Sequence, residues 1–158
     1  MLIMQQMDVT SPTRGIIAHG CNAVHVMGAG VALAIARKFP QAYNAYKNLH
    51  VRNGQLVECP HLLGTVQFVD IDYNLFIANC FTQIKTGRDE HGNPPAYLEA
   101  IEQCLTQCLV HAQTHGVPLY APQIGCGLGG LDWETQVKPI YTKLAEEFPE
   151  VMFYVCTI

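Results

Sequence analysis

Apolar positions along this chain follow two periods in turn. Gly15 to Asn22 reads GIIAHGCN, a short and nearly continuous apolar run of the kind that forms a strand covered on both faces. Leu2 to Met7 predicts an opening strand. Residues 64–70 (GTVQFVD) and 74–81 (NLFIANCF) predict two β-rich runs joined as a hairpin across the polar stretch Ile71 to Tyr73. After the glycines at 28 and 30, VALAIARKF has the spacing and Ala/Leu content of a helix. Pro40 then starts a second helical unit, PQAYNAYKNLHVRNG, carried to Gly54. Lys85 to Pro95 gathers charge, Gly and Pro and predicts an exposed loop. From Ala96 to His115, the side chains Leu98, Ile101, Leu105, Cys108, Leu109 and Ala112 fall on one helical stripe, closed by Gly116 and Pro118. A strand from Leu119 to Pro122, a glycine-rich loop, a helix near Trp133 to Glu147 and a last strand from Val151 to Thr157 complete the order.

Strands alternating with helices, with polar residues confined to loops, predict an α/β fold. The expected form is a three-layer α/β/α sandwich around a mixed six-stranded central sheet, as a single domain over residues 1–158. Composition agrees: 49% of the residues are hydrophobic and 14% charged, enough apolar content for a core without disulfides. The seven cysteines are odd in number, form no CxxC pair and sit mostly in apolar runs, which predicts reduced, buried thiols and a cytoplasmic location. No run approaches the ~18 apolar residues of a membrane helix, so no membrane partner is expected. Nine Lys and Arg against thirteen Asp and Glu give a net charge of −4 with no basic run. Broad phosphate neutralisation, and with it nucleic-acid binding, is not expected. An anionic ligand has to be held by local backbone NH groups.

Two segments offer such groups. Asn22 to Val31 (NAVHVMGAGV) and Gln123 to Trp133 (QIGCGLGGLDW) each follow an interior strand and lead into a helix, aiming unpaired amides and a helix N-terminus at one place. Glycine suits both, because a phosphate oxygen has to approach the backbone and a Cβ obstructs it. Either loop alone reads as a tight connection; together they predict a diphosphate cradle. GAGVALA invites a dinucleotide-fold reading, but Leu33 occupies the third glycine position and the region about 20 residues on lacks the partner acid. No Walker-type loop is present.

IIAHGCNAVHVMGAGVALAIARKFPQAYNAY and LYAPQIGCGLGGLDWE resemble the macrodomain family. Within it they are similar to the branch of terminal ADP-ribose protein glycohydrolase and the yeast-type ADP-ribose 1″-phosphate phosphatase. The likeness rests on the strand-end Asn in HGCN, the MGAGV loop, the KFPxAY junction and the PxIGCGLxxLxW loop. It implies a cleft for ADP-ribose or a derivative, ADP-ribosylated protein among the partners, and no cofactor or metal. Carried over by position, Asp8 accepts from the adenine amino group with the Val9 amide close by, and Asn22 holds the distal ribose. Gly28, Ala29, Gly30 and Val31 wrap that ribose and a phosphate. Gly125, Cys126, Gly127, Leu128 and Gly129 bind the diphosphate, and Gln83 lies near the cleft. The adenine-stacking position is left open between Cys156 and Tyr154.

The glycohydrolase members use a Lys at the end of the fourth strand and an Asp in the second glycine loop; the resemblance puts Cys80 and Gly129 there. A covalent lysine mechanism is therefore not expected. The remaining scheme has a water polarised by Asn22 and the bound diphosphate, Asp132 as acid/base, and His25 as a phosphate-binding or acid group. Asp132 also reads as a helix N-cap and His25 as an exposed loop residue. His19 reads as a satisfied core histidine. Cys21 and Cys126 flank the cleft without a histidine motif, and Cys104, Cys108 and His111 share an apolar helix face, so packing is expected of all five. The leading expectation is hydrolysis of ADP-ribose 1″-phosphate. The alternatives are a non-catalytic ADP-ribose-binding module and a glycohydrolase or deacylase acting on protein or acetyl esters.

Overall fold

A computed structural model describes residues 1–158. The two most apolar runs become the centre of the sheet: strand β2 (Gly15–Cys21) pairs in parallel with β6 (Leu75–Phe81), and every residue of β6 is buried. With β1 (Leu2–Gln6), β5 (Val66–Asp72), β7 (Leu119–Ala121) and β8 (Phe153–Thr157) they form a six-stranded sheet in the order β1-β8-β7-β2-β6-β5. All neighbours run parallel except β5, which the hairpin returns antiparallel along the β6 edge. The expected mixed sheet is observed, and the hairpin is what mixes it.

Period-two alternation divides the side chains between two helical layers. Ile16, Ala18, Ala78 and Cys80 meet α3 (Leu98–His115) and α4 (Lys138–Glu147), forming the larger core. Ile17 and Ile77 point the other way, toward α1 (Gly30–Lys38) and α2 (Pro40–Leu49). The same face carries buried polar side chains, and they are bonded. His19 Nε2 lies 2.6 Å from Asn79 Oδ1, and Asn79 Nδ2 donates to Gln67 Oε1 and to the Ala42 carbonyl of α2. Gln67 Nε2 donates to the Ala45 carbonyl one turn on. His19 is thus the satisfied core histidine expected, and this ladder pins α2 to the strands that carry the site.

The second helical unit stops earlier than expected. Its last helical residue is Leu49, and β3 (Val51–Arg52) and β4 (Gln55–Leu56) form a small hairpin around Asn53–Gly54, both at positive φ. An Asn-Gly pair favours that turn over continued helix. In the larger hairpin the chain turns at Tyr73–Asn74, with Asn74 at φ 54°, so β5 extends through the predicted polar break to Asp72. The helix expected from Trp133 begins instead as a π-type turn, Trp133–Val137, in which the Asp132 carbonyl accepts from both Gln136 N and Val137 N. All seven cysteines are free thiols, and no helix is long and apolar enough to cross a membrane.

Candidate functional site

The chain leaves β2 toward the α1/α2 layer and leaves β7 toward the α4 layer, although these strands are neighbours. Opposite departures from adjacent parallel strands open a crevice at their C-terminal ends, the usual ligand position in such sheets. Both glycine loops emerge there, with the segment after β6 on one side and the turn after β1 beyond β8.

The first loop is organised by Asn22, whose side chain is buried and bonded at both its oxygen and its nitrogen. Its Oδ1 accepts from Val24 N (3.1 Å), Val26 N (3.3 Å) and the Tyr46 hydroxyl (2.7 Å), and its Nδ2 donates to the Val26 carbonyl (2.8 Å). One Nδ2 hydrogen is left for anything outside. Tyr46, fully buried on α2, also donates toward the Asn22 carbonyl at 3.1 Å. Past this anchor, the amides of Met27, Gly28, Ala29, Gly30 and Val31 have no protein acceptor. Ala29 supplies no side-chain cap and the first turn of α1 holds no acid, so the positive end of that helix is uncompensated. His25 sits in the left-handed region at φ 59°, half-exposed, its ring 6.0 Å from that of His50. His50 is buried, its Nδ1 bonded to the Tyr46 carbonyl and its Nε2 without a partner.

The second loop is anchored in a parallel way by another buried tyrosine. Tyr141 of α4 donates to the Pro122 carbonyl (2.6 Å) and accepts from Ile124 N (3.1 Å). Gly125 N, Gly127 N, Leu128 N and Gly129 N then have no protein partner, whereas Cys126 N, expected among the free amides, is spent on the Gln123 carbonyl at 3.2 Å, and Leu131 N closes the loop onto the Gly125 carbonyl at 2.8 Å. Gly125 and Gly130 adopt positive φ (82° and 77°), and a Cβ on Gly129 would lie 2.6 Å from the Gly125 backbone. The loop is wound so tightly that position 129 excludes every side chain. Neither tyrosine was singled out from sequence, where each is one apolar position on a helix face; only the hydroxyl's destination distinguishes it.

Asp132 is the N-cap of the turn that follows: its Oδ2 accepts from Thr135 N (2.8 Å) and Thr135 Oγ1 (2.6 Å), while Gln136 Oε1 accepts from Asp132 N. Those bonds hold its carboxyl below the ordinary carboxylate range. Asp8 accepts from Thr10 N and Thr10 Oγ1 through Oδ1, which likewise lowers its pKa; its Oδ2 is free, and the Val9 amide beside it is unpaired. Gln83 folds back to the Lys85 carbonyl and forms a bridge with Ala96 at the root of the excursion after β6.

Cys80 points into the α3 core, its Sγ 3.7 Å from that of Cys108, and so does not reach the crevice. Burial raises the pKa of Cys21 well above that of a free thiol and that of Cys126 to about 11, so neither is a thiolate near neutrality. Cys104 is buried against the Thr65 carbonyl, and His111 stacks on Phe68 with centroids 4.0 Å apart. Tyr154 stacks on Tyr120 at 4.8 Å on the sheet face that Cys156 shares; Cys156 itself is buried. Hollows of about 540 and 350 Å³ lie elsewhere, one over Gln103 and Thr106 and one beside Arg14 and Met152, and neither borders the glycine loops.

The model of the Macro domain family matches residues 18–140. An ADP-ribose 1″-phosphate phosphatase from Lodderomyces elongisporus is 27% identical over 130 residues, covering 75% of this chain and 74% of that protein. A DNA ADP-ribosyl glycohydrolase from Mycobacterium tuberculosis is 28% identical over 131 residues, covering 82% of this chain but 34% of that longer protein. Among solved structures, the macrodomain of Mycobacterium tuberculosis DarG superposes with a TM-score of 0.77 at 24% identity, over 99% of both chains.

Proposed function

Because the chain belongs to the Macro domain family, we propose that it binds ADP-ribose across the crevice over β2 and β7 and hydrolyses a substituent on the distal ribose, with ADP-ribose 1″-phosphate as the favoured substrate. The observation that carries the proposal is the convergence of two sets of unpaired amides, Met27 to Val31 and Gly125 with Gly127 to Gly129, on one crevice. Nine NH groups without acceptors suit a diphosphate, which brings acceptor oxygens and negative charge to the N-terminus of α1. Asp8 Oδ2 and the Val9 amide form an acceptor–donor pair matched to the amino edge of adenine.

For turnover, Asp132 acts as the ionised base through its free Oδ1, since the Thr135 bonds favour the carboxylate. It takes a proton from a water whose oxygen bonds to phosphorus, the P–O1″ bond breaks, and His25 returns a proton to the leaving oxygen. Asn22 frames the first loop and offers its remaining Nδ2 hydrogen to the ribose. The relatives named as a phosphatase and a glycohydrolase support hydrolysis in this family. Seven free thiols favour a reducing compartment such as the cytoplasm.

A second reading, ADP-ribose binding without turnover, is favoured by the structural employment of both Asn22 and Asp132. Calorimetry with ADP-ribose, beside an activity panel of ADP-ribose 1″-phosphate, O-acetyl-ADP-ribose, an ADP-ribosylated acidic peptide and an ADP-ribosylated DNA oligonucleotide, separates the two. Saturable heat with phosphate release supports the phosphatase; saturable heat with no turnover on any substrate leaves the binding module. No saturable heat rejects both.

A further inference from the structure

The excursion between Gln83 and Ala96 is a built loop. Asp89 spends its carboxylate inside it, accepting from His91 N, Asn93 N and Asn93 Nδ2, and Asp89 N donates to the Asn93 carbonyl. Arg88, the residue before it, is held by one bond, Nη1 to the Gly92 carbonyl at 2.8 Å, and forms no ion pair. Four of its five N–H donors therefore have no protein partner.

Arg88 is exposed, but its side chain lies along the second loop instead of splaying away from it. Its guanidinium rests against Gly130, where a Cβ would lie 3.1 Å from Nη2, 3.4 Å from Cζ and 2.8 Å from Pro94 Cβ. Gly130, at φ 77°, thus provides both the left-handed turn and the space in which the guanidinium lies. It directly follows Gly129, the last of the unpaired amides of the second loop, and the Gly129 carbonyl accepts from Ala96 N to tie loop and excursion together. An unpaired planar cation is seated at the rim of an amide nest, in a chain whose net charge is −4.

We propose that Arg88 is the side-chain clamp of the anion site: its free N–H groups bind the diphosphate held by Gly125 to Gly129 and make the crevice select ligands with a charged phosphate chain over neutral nucleosides. The inference rests on the proposed function and adds the formal charge that the amides lack. Backbone dipoles orient an anion, whereas a guanidinium fork adds charge-assisted, directional bonds that a lysine reproduces only as a point charge.

The test is calorimetry with ADP-ribose, ADP and adenosine on wild type, Arg88→Gln and Arg88→Lys at two salt concentrations, with thermal melts as a folding check. Arg88→Gln is expected to weaken ADP-ribose and ADP by about ten- to a hundredfold. It leaves adenosine unchanged and flattens the salt dependence, while Arg88→Lys recovers part of the loss. Equal ADP-ribose affinity and equal salt dependence in wild type and Arg88→Gln overturn the clamp while leaving the ADP-ribose site intact. An equal loss for adenosine also overturns it, because a general distortion of the crevice then accounts for the effect. Failure of the wild type to bind ADP-ribose refutes the underlying reading, and the clamp with it.

Discussion

Gly129→Ala is the sharpest probe of the second loop, because the added methyl tests packing and amide geometry at once. A Cβ there would stand 2.6 Å from both Cα and O of Gly125 and 2.8 Å from its carbonyl carbon. Ordinary carbon contacts lie at roughly 3.5–4.0 Å, so the two strands of the loop must separate by about 1 Å. The obstructing atoms are backbone, and no rotamer relieves them. The φ of Gly129 is not positive, so torsional strain does not contribute and the contact alone is tested. Overpacking of this kind costs about 1–3 kcal/mol, and in a domain of this size each kcal/mol lowers Tm by roughly 2–4 °C. A shift of about 1 Å also takes the Gly129 amide outside hydrogen-bond range of a fixed phosphate oxygen, so ADP-ribose affinity should fall by about tenfold or more. Gly127→Ala is the stability comparator: nothing lies within 4 Å of its added Cβ and its φ is unstrained, so its Tm should match wild type within the effect of about 0.5 kcal/mol. Thermal melts and calorimetry read both quantities. Wild-type Tm and wild-type affinity in Gly129→Ala would refute the described loop. The same contact means that Gly129→Asp, which restores the acid that the resemblance places in glycohydrolase members, disrupts the nest instead of creating a catalyst.

Three further outcomes follow from the site. Tyr46→Phe removes one buried hydroxyl from the Asn22 hub and should destabilise the protein by about 1 kcal/mol, with weaker ADP-ribose binding; melts and titrations matching wild type would show that the hub does not hold the first loop. Asp132→Asn keeps a capping side chain but loses the base, so Tm should hold while hydrolysis of ADP-ribose 1″-phosphate is lost, and Asp132→Ala should lose both; undiminished turnover in Asp132→Asn would leave the residue as a cap only. Because its carboxyl pKa is lowered, the acid limb of the wild-type rate profile should fall below the ordinary carboxylate range, and a limb above that range would count against Asp132 as the base. Burial pushes His19 from 6.5 down to about 4, so between those values the unfolded chain takes up a proton that the native protein refuses. Stability should be flat from this source above pH 6.5 and decline by roughly 3 kcal/mol as pH drops to about 4. Denaturant melts across that interval, with NMR titration of the His19 ring, check it; a ring titrating near 6.5 in the native state would refute the assignment.

Much of the architecture was legible because burial imposes periodicity. GIIAHGCN and NLFIANCF cannot be half-exposed, and both became central strands, while the stripe from Leu98 to Ala112 became the buried face of α3. The second helix was overextended because its polar tail, HVRNG, carries little periodic signal; the Asn53–Gly54 turn signal was the clue to stop it earlier. The glycine loops were legible as a candidate anion cradle from their paired positions after interior strands and from residue type, since glycine suits both the close approach and the left-handed backbone. Which amides lack partners was not legible, because that depends on where Tyr46, Tyr141 and Asn22 send their polar atoms across the molecule. Cys80 and Gly129 show the same division. Their departure from the glycohydrolase pattern is visible in the chain. That one faces the α3 core and the other leaves no room for a side chain depends on strand parity and loop winding. Local chemistry thus determined the elements and the two candidate anion loops, because strand burial and glycine torsions are short-range properties. Tertiary packing decided which donors stand free and where Arg88 rests, because those outcomes require groups distant in sequence to compete for the same bonds.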